Sequence, residues 1–146
     1  MKKQQYLDLQ KRHQKELEDF PIAYAFNGKQ LEEALVKLGA KKEECVTIFD
    51  HGDIIKKSDV KAFLDMLKRH TKELKDAMKD EEFAEEAFLY EMDNHEYAIN
   101  WDGDGDVLRC FAMDFEDLKK MGLENAYQRA RKKTHEKCRR MGHDLR

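Results

Sequence analysis

One proline, one serine, one tryptophan and seven glycines stand among 146 residues. So little Pro and Gly excludes a collagen-like or Pro/Gly-rich low-complexity chain. Ser58 sits before an apolar-periodic stretch, where it has a capping job, and there is no Gly-x-Ser-x-Gly elbow, so serine hydrolase chemistry is not expected. No glycine loop of Walker or Rossmann type exists. The three cysteines, Cys45, Cys110 and Cys138, form no CxxC pair and are odd in number, which argues against a disulfide framework or a zinc ribbon. They read as reduced thiols of a cytoplasmic protein, and Cys45, opening an apolar run, as a small buried hydrophobe. No apolar run reaches 18 residues, so no membrane span is expected. The first twenty residues lack the apolar core of a secretory signal.

What the chain has is charge. Charged residues make up 40% of it and mean hydropathy is -0.92. The net charge of -3 is unevenly spread. Residues 1–71 carry 14 Lys/Arg against 12 Asp/Glu, residues 72–117 carry 4 against 16, and residues 118–146 carry 10 against 3. An acidic block followed by a basic tail has two readings. Each could meet a partner of opposite charge, or the two could neutralise each other within the fold.

Local patterns predict an α+β domain of two or three short strands packed against about five helices. A peripheral N-terminal helix is expected within residues 1–20, ended before Pro21. An α+β core then spans 21–123, and a basic helix or tail 124–146. Strands are predicted at Ile22–Phe26 and Cys45–Phe49, with Ile54 and Ile55 returning as a hairpin partner after the turn Asp50-His51-Gly52-Asp53. Asn27, Gln30 and Gly39 bracket a helix with Leu31, Ala34, Leu35 and Leu38 on one face. Ser58 or Asp59 opens a long helix whose buried stripe is Val60, Phe63, Leu64, Leu67, Leu74 and Met78. Asp80 caps the next, which runs to about Asn94. Trp101–Asp106 reads as a turn, Val107–Met113 as a short helix or strand, and Asp114 as the cap of a terminal helix that Gly122 interrupts.

The motifs that suggest chemistry are few. Asp102, Asp104 and Asp106 match the first acidic positions of a calcium loop, but Val107 stands where Gly is needed and Met113 where Glu is needed. The segment reads as a solvated acidic turn, and no metal is assigned to it. Asp50-His51-Gly52-Asp53 and Asn94-His95-Glu96 resemble fragments of two-metal phosphoesterase signatures, but their spacing fails. Glu91 and His95 stand at i, i+4, presenting a carboxylate and an imidazole on one helix face. Such a pair either fixes a helix end or binds metal and works as acid and base, with Glu96 beside it and His51 approaching from the hairpin. Lys119, Lys120, Arg129, Arg131, Lys132, Lys133, Lys137, Arg139 and Arg140 could contact phosphates, though Tyr127 alone offers no stacking platform.

Several residues carry a likeness together. They are Phe26 and Gln30, Asp53–Asp59, Phe63, Phe83, Phe88, and Glu91-Met92-Asp93-Asn94-His95-Glu96-Tyr97, with Glu-x-x-Asn-His-Glu-Tyr the most specific part. Over residues 22–123 the chain resembles a family of small uncharacterised proteins encoded by bacteria and their phages. That resemblance implies a mobile-element context, in which small proteins often inhibit host defence. The leading expectation is therefore a cytoplasmic macromolecule-binding protein, without cofactor and not an enzyme, acting as an inhibitor of a bacterial defence nuclease. Its partner would be a protein with a basic nucleic-acid groove. Trp101 would anchor it, and Asp102, Asp104, Asp106, Asp114, Glu116 and Asp117 would meet the groove. Two alternatives stand beside it. One is a metal-dependent enzyme using Glu91 and His95. The other is a non-specific nucleic-acid binder using Arg129, Arg131, Lys132, Lys133, Arg139 and Arg140.

Overall fold

A computed structural model describes residues 1–95 and 103–140, and for Cys138 the backbone only. Seven helices occur among the described residues, where about five were expected, with one three-stranded antiparallel sheet. The fold is α+β with helix dominant. It divides into two compact units: residues 1–12 with 70–146, and residues 13–69. Helices α1 (Lys2–Asp19) and α3 (Val60–Ala77) each supply residues to both. No helix among the described residues is long and apolar enough to cross a membrane.

The unit of residues 13–69 holds the sheet. Strand β3 (Asp53–Lys56) is central, between β1 (Ile22–Tyr24) and β2 (Cys45–Val46). Ala23 pairs with Ile54, and Val46 with Ile55. Helix α2 (Gly28–Leu38) packs Ala34 and Leu38 against Ala23 and Ile54. It forms as expected: the Asn27 side chain accepts from Gln30 N, the Gln30 side chain accepts from Phe26 N, and Gly39 ends the helix at φ 64°. Ile55, on the opposite face from Ile54, is fully buried. Phe63 stacks with Phe20 and Phe49 at 5.1 and 6.0 Å.

The second predicted strand is shorter than its β-branched run suggested. Ladder pairing stops at Val46 because the amides of Ile48, Phe49 and His51 turn inward and donate to the Asp53 carboxylate, as does the Thr47 hydroxyl. Burial pushes that carboxyl up, and the four donors pull it further down, to about 2. The loop needs left-handed backbone at Asp50 and Gly52. A Cβ on Gly52 would also lie 2.6 Å from the Phe26 ring. Leu64, placed in the buried stripe of α3 by periodicity, is 42% exposed.

The other unit is helical. Helix α4 (Glu81–Asn94) is capped by Asp80, whose side chain accepts from Glu82 N and Phe83 N. Phe83, Ala84, Ala87, Phe88 and Met92 of α4 enter one core with Val107 and Leu108 of α5 (Gly103–Arg109), Leu118 of α6 (Phe115–Met121), and Ala126, Tyr127 and Ala130 of α7 (Glu124–Arg140). Asp114 and Asp117 form the capping box of α6, and Gly122, at φ 68°, ends it and separates it from α7. Two expectations change here. The N-terminal helix is not peripheral: Tyr6 and Leu9 lie in this core. The basic C-terminal helix has a buried stripe of small and aromatic residues, Ala126, Tyr127, Ala130 and Thr134. Gly103–Asp106 is the first turn of α5 rather than a loop.

Candidate functional site

The site begins with a carboxylate in an apolar core. Glu91 is 2% exposed, within the helical unit. An ionised carboxylate there needs strong donors or a cation. Its Oε2 accepts from the Tyr6 hydroxyl, and from Gln10 Nε2 at 2.9 Å. Gln10 Nε2 also donates to the Tyr6 oxygen at 2.7 Å. Tyr6 and Gln10 can act together because i, i+4 spacing puts them on one face of α1. Edge-on or tilted contacts with Phe83, Tyr90 and Phe111, at 5.8–5.9 Å, hold the Tyr6 ring. Burial, and then the bond to Glu91, raise the Tyr6 pKa well above its ordinary value and keep the phenol a donor.

The other oxygen, Oε1, faces different chemistry. Asn94 Nδ2 lies 3.4 Å away and His95 Nε2 3.6 Å away. The same imidazole nitrogen is 3.2 Å from Cys110 Sγ. Glu91, His95 and Cys110 thus bring a carboxylate oxygen, an imidazole nitrogen and a thiol sulfur within 4.8 Å of one another. Cys110 follows α5, and its neighbour Phe111 is locked in the core against Tyr6 and Phe88. Burial, with Glu91 nearby, raises the thiol to about 11, so Cys110 on its own is not a nucleophilic thiolate at neutral pH. The His95 side chain is 36% exposed, which gives the cluster a solvent-facing side.

The Glu91–His95 pairing expected from spacing is present, with Asn94 beside it. Glu96 and Tyr97 of the same motif, and Trp101 and Asp102 of the acidic turn, lie outside the described residues. His51 belongs to residues 13–69. Three participants were missed. Cys110 is 15 residues from His95 and enters only through tertiary packing. Tyr6 and Gln10 left one signal, their i, i+4 spacing in a helix otherwise poor in apolar residues.

Most of the remaining expected site residues have intramolecular uses. Asp104 accepts from the Tyr127 hydroxyl at 2.5 Å. Asp106 pairs with Arg109, and Asp114 with Asp117 in their capping box. Glu116 is close to Lys119 at 3.9 Å and largely exposed. On the basic side, Arg129 and Lys133 converge on Glu85, and Lys137 reaches Asp93 at 3.2 Å. Burial raises the Glu85 carboxyl, and these two cations outweigh it and hold it below its ordinary value. The acidic and basic blocks therefore neutralise each other in part along α4 and α7. Arg131 is half-buried, while Lys132, Arg139 and Arg140 are exposed.

A separate surface feature lies in the unit of residues 13–69. A groove of about 360 Å³ is lined by Tyr24, Phe26, Gln30, Glu33, Ala34 and Lys37, among others. Phe26 and Tyr24 are 76% and 62% exposed, unusually open for large aromatics.

Comparison with curated proteins and with solved structures returns no match. A family model matches residues 5–133. That span reaches beyond the 22–123 expected from the motifs and takes in Tyr6, Gln10, Glu91, Asn94, His95 and Cys110. The chain belongs to this family, a family of unknown function (DUF7659).

Proposed function

We propose that the protein binds a zinc-class divalent cation through Glu91, His95 and Cys110 and uses it to activate water. One observation carries this reading: three different ligand types converge within 4.8 Å from two separate stretches of chain. Zinc takes thiolate, imidazole and carboxylate at about 2.0–2.3 Å. Ligand atoms around one tetrahedral ion then stand roughly 3.3–3.8 Å apart. The pairs at 3.2 and 3.6 Å are close to that spacing. A simple ion pair would need only Glu91 and His95, whereas the thiol adds the soft donor that favours zinc over calcium or magnesium. Three protein ligands among the described residues match the ligand number of hydrolytic rather than structural zinc centres, in which solvent takes the fourth position. The reaction class this supports is metal-assisted hydrolysis.

The test is a zinc titration of full-length protein prepared without a histidine tag, followed by elemental analysis. The expected result is about one zinc per chain, lost in H95A and C110S. Less than about a tenth of an equivalent in the parent protein would overturn the reading.

A second reading, macromolecule binding, is favoured by the exposed aromatic groove. It keeps the expectation of a protein partner, including a defence nuclease, but moves the contact from the acidic turn to Tyr24 and Phe26. Partner capture from a lysate should be lost in Y24A/F26A. Capture retained by that variant and lost in E116Q would return the contact to the acidic residues.

A further inference from the structure

We propose that Tyr6 and Gln10 are positioning residues of this metal site: they engage one oxygen of Glu91 and present the other alone to the ion. The inference rests on the metal reading above. A carboxylate can bind an ion through one oxygen or two, and the number decides how many positions are left for solvent or substrate. The two oxygens of Glu91 are held unequally. Oε2 takes a bond from the Tyr6 hydroxyl and one of 2.9 Å from Gln10. Among the described residues, Oε1 has one long contact of 3.4 Å from Asn94 and faces His95.

The holding groups are themselves restrained. Tyr6 is 1% exposed, and three aromatic rings surround it, so its hydroxyl cannot swing away. Gln10 bridges Tyr6 and Glu91 from the solvent side, which closes the triangle. For Oε2 to join the ion, Glu91 would have to break two hydrogen bonds, one of them to the buried Tyr6 hydroxyl, a loss that one further carboxylate–metal contact does not offset. The carboxylate therefore binds through Oε1 only. With one donor each from Glu91, His95 and Cys110, the ion has three protein ligands among the described residues. Outer groups of this kind orient ligands and tune affinity in metal sites generally.

Cobalt(II) is the probe, because its visible bands are strong when four-coordinate and weak when five- or six-coordinate, and a thiolate ligand adds a near-ultraviolet band. The full-length parent is expected to give the strong four-coordinate spectrum. Y6F and Q10L should each bind cobalt roughly 10- to 100-fold more weakly, with visible bands that fall as both carboxylate oxygens reach the ion. The thiolate band should persist in both, since Cys110 is untouched. Gln10 is exposed, so Q10L carries the test if Y6F fails to fold. Parent-like affinity and spectrum in Q10L and in folded Y6F would overturn the positioning role and leave the metal reading standing. A parent protein that takes up no cobalt would overturn both.

Discussion

Among the described residues each unit of the molecule buries one carboxylate, and the two are treated differently. Asp53, in the unit of residues 13–69, is 4% exposed and is met by three backbone amides and one hydroxyl. Glu91, in the helical unit, is 2% exposed and is met by Tyr6 and Gln10, with Asn94, His95 and Cys110 beside it. Backbone amides can only donate. They make Asp53 a strut that folds the 47–52 loop back onto β3. Imidazole and thiol can donate or coordinate, so the environment of Glu91 has a use beyond folding. A buried carboxylate is thus informative about function through the kind of atom that satisfies it, not through burial alone.

Four experiments press on that contrast. The largest effect is expected from D53A. Three inward-pointing amides and Thr47 would lose their acceptor, and folding free energy should fall by on the order of 3 kcal/mol, read as a lower midpoint in urea. Zinc binding should be unchanged. Next, zinc itself should stabilise the parent by about 2.7 kcal/mol at a free concentration a hundredfold above Kd. That rise in Tm should vanish in H95A and C110S and survive in D53A.

Acid should also expose the Asp53 strut. The native Asp53 value, about 2, lies below the ordinary aspartate value of 3.8. Its contribution is therefore complete above the unfolded value and fades as pH falls from near 4 toward 2. Linkage puts this at about 2 kcal/mol. Urea midpoints measured between pH 6 and 2.5 should fall more steeply in the parent than in D53N, and parallel curves would contradict the strut. The smallest effect is expected from E85Q. It removes the negative charge that Arg129 and Lys133 share, both about half exposed, so Tm should drop slightly and the drop should shrink in high salt.

What could be read in advance follows the reach of the interactions involved. Helix α2, and the starts of α4 and α6, were legible because Asn27, Asp80 and Asp114 cap residues two or three positions away. The Glu91–His95 pair was legible because i, i+4 spacing is geometry within one helix. Cys110 was not, since Phe111 and the turn after α5 bring it in by tertiary packing. Tyr6 was hidden by its setting, a helix too polar to look like core. The strand from Cys45 to Phe49 was overread because propensity does not register Asp53, which withdraws the amides of residues 48, 49 and 51 from the ladder.

The central claim is that Glu91, His95 and Cys110 are ligands of one ion. X-ray absorption at the zinc edge, on the full-length chain loaded with one equivalent, tests it most directly. The account predicts one sulfur at about 2.3 Å and nitrogen or oxygen ligands at about 2.0–2.1 Å, with the sulfur lost in C110S. A shell of oxygen and nitrogen alone in the parent protein, unchanged by C110S, would contradict it.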